Sequence, residues 1–192
     1  MSHPNWSFLS PVLLPKNVPP SERLHARIAC GTDMEDIYKL GYDEWGEGIG
    51  LNEYLSLCKS SRKYQKGTWI LFGDRKTNLP MVALICYQIL DVFDIPVVGI
   101  GSLATDPKMR SHGYASEALT TIVDICNKEL AIQLLVLFPD KNTSIYKNLG
   151  FIGANSRNRL HGQTIPMYYR TKQARQGDVE RALQKIDEMP YF

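Results

Sequence analysis

The amino-acid sequence predicts a mixed α/β fold, built on a mostly antiparallel sheet with one central parallel strand pair. Three observations predict it. Short apolar or alternating runs separated by turn residues fill much of the first half of the chain, at 22–30, 67–74, 81–94 and 97–106. One long amphipathic segment follows, with apolar positions 115, 118, 119, 122, 123 and 126 on a single helix face. After it comes "IQLLVLF" (132–138), a nearly continuous apolar run of the kind buried on both faces of a sheet. Strand, helix and strand in that order form a crossover, which makes 97–106 and 132–138 parallel neighbours.

The elements follow in order. "ERLHARIAC" (22–30) alternates as a strand does. Thr32 followed by Glu35 has the capping-box pattern, and Asp33, Glu35 and Asp36 suit the positive end of a helix that runs to Leu40. "GYDEWGEGIG" (41–50) reads as a loop. A second helix is predicted from Leu51 to Lys63, with apolar positions 51, 54, 55 and 58, and the basic stretch "KSSRKYQK" (59–66) reads as its solvated end. The strands 67–74 and 81–94 are joined by a turn at "NLPM", and Ile95-Pro96 turns the chain into 97–106. Beyond 132–138, a short helix over 143–148 stops at Gly150, "FIGAN" and "TIPMYYR" supply two closing strands, and "GDVERALQKIDEM" reads as a C-terminal helix. Residues 1–21, broken by Pro4, Pro11, Pro15, Pro19 and Pro20, form an extension ahead of a single domain over 22–192.

Composition removes several classes of function. The chain has 192 residues, 22% of them charged, and a net charge of +2, with no clustered basic face for nucleic acid. The prolines of the N-terminus leave no apolar run for a signal peptide or a membrane helix, so the expected setting is cytoplasmic, with no membrane partner. Cys30, Cys58, Cys86 and Cys126 form no C-x-x-C pair and lie in apolar segments, which predicts four small buried hydrophobes in a reducing compartment. The four histidines are scattered without H-E-x-x-H, so no metal site is expected.

Two glycine patterns compete for a phosphate-binding role. "GIGSLA" (99–104) matches G-x-G-x-x-A, yet its glycines lie inside a strand rather than opening a helix, which is what a dinucleotide fold requires. No G-x-x-x-x-G-K-[ST] stretch occurs. The second pattern is Arg110-Ser111-His112-Gly113-Tyr114-Ala115-Ser116, at the start of the amphipathic helix. Small residues there let the first-turn N–H groups approach an anion, and Arg110 can add a charge-assisted contact. A strand-to-helix loop with serine capping reads the same residues without any ligand.

"TDPKMRSHGYA" resembles the acyl-CoA-binding motif of the GNAT superfamily of N-acetyltransferases, Q/R-x-x-G-x-G/A preceded by x-x-P-x-x-R, at Pro107, Arg110, Gly113 and Ala115. "IYKNLGF" (145–151) is similar to a second segment of that family at Tyr146, Leu149, Gly150 and Phe151. Two departures stand out: the family often has Gly followed by Lys or Arg where Ser111 and His112 stand, and an aliphatic residue where Thr105 stands. The resemblance implies acetyl-CoA as cosubstrate, no metal, and acetyl transfer to a primary amine by direct attack on the thioester. It also implies central parallel strands that splay apart, for which Gly99 and Gly101 could mark a bulge. It assigns cofactor binding to Leu103, Ala104, Thr105, Arg110, Ser111, His112, Gly113, Tyr114, Ala115, Ser116 and Asn142, and the role of general acid to Tyr146.

The general base stays open among Asp91, Asp94, Glu44 and the C-terminal carboxylate of Phe192. Tyr42, Asp43, Glu44 and Trp45 are the acceptor-site candidates, because carboxylates beside aromatics suit a cationic amine. The same four residues also fit an exposed acidic helix end with Trp45 packed on the core. The acceptor would be a small-molecule or peptide amine, and a homodimer is compatible with the sequence. The alternative function is a non-catalytic acyl-CoA-binding regulatory or protein-interaction module on the same fold.

Overall fold

The computed structural model describes residues 23–89, 93–128, 132–140, 143–155 and 164–186. The proline-rich stretch 1–21, Asp91, Asn142 and Phe192 lie outside them. Seven strands, β1 (Leu24–Ile28), β2 (Thr68–Asp74), β3 (Pro80–Ile89), β4 (Val97–Thr105), β5 (Leu134–Leu137), β6 (Ile152–Gly153) and β7 (Met167–Arg170), follow the sheet order β1-β2-β3-β4-β5-β7-β6. The fold is mixed α/β, mostly antiparallel, with β4 and β5 as the parallel pair. No helix among the described residues is long and apolar enough to cross a membrane.

The chain divides into two compact units. The first comprises the described residues up to Ile85 together with Ser102–Ala118; the second comprises Cys86–Gly101 and the described residues from Leu119 on. In the first unit β1 pairs antiparallel with β2, from Leu24 opposite Asp74 to Ile28 opposite Ile70. Ile70, Leu71 and Phe72 on β2 and Val82, Ala83 and Leu84 on β3 are buried, as expected of strands covered on both faces. Four helices belong to this unit: α1 (Met34–Leu40), α2 (Tyr42–Trp45), α3 (Leu51–Ser60) and α4 (Arg62–Lys66).

Three local expectations are corrected here. The capping box lies upstream of Thr32 and Glu35: the Asp33 carboxylate accepts from the Cys30 N–H at 2.8 Å, closing a short 3-10 turn over Gly31–Asp33. Cys30 is therefore exposed, its Sγ near Thr32 and Asp33, because β1 has ended at Ile28; Cys58, Cys86 and Cys126 are buried as predicted. The predicted helix 51–63 is two helices, since Ser61 is extended and its hydroxyl accepts from the Tyr64 N–H to start α4.

In the second unit β5 is fully buried between β4, in register Val97 opposite Leu134 to Ile100 opposite Leu137, and β7 on its other side. Helix α5 (Tyr114–Lys128) runs into this unit and buries Leu119, Ile122, Val123 and Cys126, the predicted stripe. Its last turn is held by Asn127, whose Nδ2 donates to the Tyr169 hydroxyl at 3.2 Å and whose Oδ1 accepts from the Lys172 N–H at 2.8 Å. The C-terminal α7 (Gln176–Gln184) packs Val179 and Ala182 into a cluster with Val97, Leu134 and Val136. Each fully buried valine or leucine side chain of this cluster is worth about 1.5–3 kcal/mol.

The Arg27 guanidinium meets Asp33 in a two-pronged pair at 2.6 and 2.7 Å. That guanidinium, more than the Cys30 N–H, holds the Asp33 carboxyl well below the usual carboxylate range. A carboxyl lowered on folding stabilises the fold fully above its unfolded value of ~4 and loses that contribution as pH falls toward the folded value. Asp33→Asn should therefore cost about 1–3 kcal/mol at neutral pH, since it breaks a hydrogen-bonded ion pair. The difference from wild type should shrink steadily below pH ~4, which urea unfolding at several pH values will measure.

Candidate functional site

Strand β4 leads into the candidate cofactor segment. Ser102 has φ 45°, a left-handed conformation that costs a serine about 1–3 kcal/mol. Ser102 is the left-handed residue of the strand, while Gly99 and Gly101 are absent from the left-handed residues. The parallel ladder to β5 covers Val97–Ile100 only, and β4 continues to Thr105. Leu103 and Thr105 are half-buried and Ala104 is buried. The Asp106 N–H still donates to the Met81 carbonyl at 2.9 Å, after which the Asp106 side chain caps a 3-10 turn over Pro107–Met109. Pro107 ends the strand because it has no N–H to give.

The segment 110–113 then turns sharply, with Ser111 at φ 64° and Gly113 at φ 84°. A Cβ on Gly113 would meet no atom within 4 Å, so its need for glycine is one of backbone conformation beside open space. Helix α5 begins at once with Tyr114, Ala115 and Ser116, and its first i to i+4 bond runs from the Glu117 N–H to the Gly113 carbonyl. The earlier N–H groups of such a helix have no intrahelical carbonyl, and the helix is long enough for its dipole to favour an anion there. Ser111, His112 and Gly113 are exposed, and Tyr114, Ala115 and Ser116 are half-buried. The His112 Nδ1 lies 2.7 Å from the Arg110 carbonyl; a carbonyl can only accept, so the proton sits on Nδ1. The His112 and Tyr114 rings stack at 6.1 Å.

Arg110 is committed within the protein. Its Nη1 and Nη2 donate to the two Asp43 oxygens at 2.6 and 2.8 Å, Nη1 also reaches Glu44 at 3.3 Å, and Nε donates to the Thr105 carbonyl at 3.2 Å. The guanidinium holds the Asp43 carboxyl below its ordinary range. The structure thereby brings together residues assigned from sequence to two different tasks, Arg110 to the cofactor and Asp43 and Glu44 to the acceptor. The expected loop 41–50 contains the helix α2 because of this tie and because two glycines flank it. A Cβ at Gly41 would lie 2.2 Å from the Trp45 ring and one at Gly46 2.8 Å from the Tyr42 ring, so both rings fold back on their own loop. The Tyr42 hydroxyl donates to the Ile49 carbonyl at 2.8 Å.

Beside Ser102 stands an aromatic group that sequence reasoning missed. The Ser102 hydroxyl reaches the Tyr64 hydroxyl at 3.5 Å; Tyr64 stacks on Tyr38 at 5.7 Å and meets Trp69 edge-on at 5.1 Å. The Trp69 Nε1 is buried with no acceptor among the described residues. The aromatic content of α1, α4 and β2 was visible, but their convergence on one point of β4 is a tertiary fact.

Tyr146 belongs to the second unit, on the short helix α6 (Ser144–Asn148), half-buried with its ring edge-on to Phe151 at 6.1 Å. The Leu149 and Phe151 N–H groups both donate to its carbonyl, and Gly150 at φ 90° ends the helix. Burial, and secondarily the charge of Asp140, pushes the phenol up to about 12. Asp94 receives Lys185 Nζ at 3.0 Å. Among the described residues no group of three or more His, Cys, Asp or Glu side chains could hold a metal ion.

Residues 34–151 match the family model described as the acetyltransferase (GNAT) family. No curated protein sequence matches the chain. Among solved structures, a GNAT-family N-acetyltransferase from Escherichia coli in complex with CoA aligns with TM-score 0.59 and 19% identity, over 85% of this chain and 86% of that one. The ribosomal-protein-S18-alanine N-acetyltransferase from Escherichia coli aligns with TM-score 0.57 and 16% identity, over 80% and 97%. A spermidine N-acetyltransferase chimera from Vibrio cholerae aligns with TM-score 0.54 and 15% identity, over 77% and 95%. At these identities the likeness is one of fold.

The Arg110–Asp43 pair should be measurable as a coupling. In a double-mutant cycle of Arg110→Gln and Asp43→Asn, unfolding free energies should show an interaction of about 0.5–1 kcal/mol, limited by partial exposure of both partners. Additive losses would mean the pair does not hold α2 in solution.

Proposed function

Because this chain belongs to the GNAT acetyltransferase family, we propose that it transfers an acetyl group from acetyl-CoA to a primary amine. The observation that carries the reading is the turn at Gly113, left-handed and open to space, placed directly before a 15-residue helix. The reading rests also on the structural neighbours, one of which is a complex with CoA.

The thioester supplies an activated acetyl group; the protein's part is orientation and electrostatics. In this reading the backbone of 110–116 receives the diphosphate, and Leu103, Ala104 and Thr105 offer main-chain groups to the pantetheine arm. Asn142 remains a cofactor-binding candidate from sequence. The N–H of Leu103, just after the bend at Ser102, is the proposed donor to the oxyanion that develops as the amine attacks the thioester carbonyl. Helix α2 contributes shape through Tyr42 and Trp45, while Asp43 and Glu44 set the position of Arg110.

Tyr146 is the proposed donor to the departing sulfur. A phenol pushed up to about 12 keeps its proton throughout the neutral range. Full transfer to a thiolate, whose ordinary value is near ~8.5, is uphill by several units, at about 1.4 kcal/mol per unit. Tyr146 therefore serves best as a hydrogen-bond donor that stabilises the sulfur as charge develops, with water completing the protonation afterwards. On this account Tyr146 puts no alkaline fall in the rate within the neutral range.

Acetyl-CoA should raise the melting temperature, and a panel of amines should then release free thiol. Tyr146→Phe should lower kcat by about 10²-fold with little change in CoA affinity. No stabilisation by any acyl-CoA would overturn the acetyltransferase reading. Stabilisation without turnover of any amine would favour a binding module instead.

A further inference from the structure

An anionic cofactor at the start of α5 calls for a cation, and Arg110 is poorly placed to be it. Its Nε, Nη1 and Nη2 are all engaged, and its charge is opposed by two carboxylates. Drawing it to a phosphate would break its two-pronged pair with Asp43 and release the Thr105 carbonyl. The loop nevertheless has a second guanidinium beside it, from a residue far away in sequence. Arg23, at the entry to β1, places its Cζ 4.8 Å from the centroid of the Tyr114 ring and directs Nη1 to the His112 carbonyl at 3.4 Å. His112 and Tyr114 are the two neighbours of Gly113. The Arg23 side chain is 53% exposed, so its polar end is still open to a ligand.

We propose that Arg23 supplies the side-chain charge for the cofactor's diphosphate, while Arg110 positions the loop and α2. The proposal rests on the acetyltransferase reading above. Arg23 reaches the loop through a fixed route: its backbone carbonyl accepts from the Arg75 N–H at 3.1 Å at the β1 edge, and its aliphatic stem and guanidinium cross to Tyr114. Its existing partners are weaker competitors than those of Arg110. The contact to His112 is long and neutral, and the pair with Glu117 is a single contact at 3.0 Å through Nη2. Among the described residues most of the five guanidinium donors of Arg23 thus lack an acceptor, whereas a diphosphate offers several oxygens in the fork geometry that arginine matches. Glu117, whose side chain is 16% exposed, would then aim the guanidinium rather than consume it.

Titration calorimetry with coenzyme A tests this on the full chain. Arg23→Gln should raise the Kd for CoA by about tenfold, a usual scale for losing one charge-assisted contact. Arg23→Lys should recover part of the loss. Glu117→Gln should change the Kd by less than about threefold, because the amide oxygen still accepts from Nη2 and keeps the guanidinium aimed. Turnover of S-acetylpantetheine, which has no diphosphate, should change less than twofold in Arg23→Gln. The proposal is overturned if Arg23→Gln keeps the wild-type Kd. It is equally overturned if Glu117→Gln weakens CoA as much as Arg23→Gln does, for the ion pair would then be purely structural. Wild-type protein that binds no CoA would instead remove the acetyltransferase reading, and this proposal with it.

Discussion

The two-pronged pair between Arg110 and Asp43 is the contact on which the candidate site depends. It joins residues 67 positions apart and, through Nε and the Thr105 carbonyl, connects α2 to the last residue of β4. Without it, the segment between α1 and α3 has only four helical residues, too few to sustain a turn of helix by local bonds alone. The pair is half-exposed, so its energetic weight is modest. Its importance is geometric: a planar guanidinium with three directions of donation sets the angle between the end of β4, the loop after Pro107 and α2. A lysine could match the charge but not those three directions.

The second constraint is the bend in β4. A strand that kept its ladder to β5 along its whole length would spend every N–H and carbonyl on sheet bonds. Here the parallel ladder ends at Ile100, and Ser102 takes a conformation that most residues avoid. Such strain persists only where the surroundings over-determine it. The aromatic group of Tyr38, Tyr64 and Trp69, with Tyr64 touching Ser102, is the surrounding packing within the first unit. The residues after the bend thus lie beyond the ladder to β5, and the Thr105 carbonyl takes its bond from Arg110 instead.

What could be read from sequence follows the range of the physics involved. The stripe on α5 and the doubly buried β5 are local periodicities, and both appear where expected. The turn before α5 is also local, a proline, an arginine and a glycine within seven positions, and the helix starts just after it as expected. The helix α2 was not, since its partner Arg110 is remote and its glycines look like ordinary loop residues until Trp45 and Tyr42 are seen folded over them. Cys30 reads as part of an alternating strand, yet β1 ends two residues earlier and the chain turns around Asp33. The bend at Ser102 sits beside two glycines, and composition naturally directs attention to them rather than to the serine. Arg23, next to the proline-rich segment, carries no local signal at all; only the approach of β1's entry to α5 gives it a neighbour.

These cases share a physical logic that bears on the loop itself. Anion recognition can draw on backbone N–H groups, which are neutral and local, or on side-chain charge, which is long-range and can come from anywhere in the fold. The first is written into the sequence as small residues and a glycine at the start of a helix. The second is interchangeable among positions, because any guanidinium that reaches the same space serves the same purpose. In the cofactor site proposed above, Arg110 is taken up by Asp43 and Glu44 and His112 faces the Arg110 carbonyl, which leaves the backbone as the motif's contribution. The charged half is then free to reside elsewhere, and a strand entry such as that of Arg23 is a suitable place. Its backbone is anchored by the sheet while its side chain spans the distance to α5.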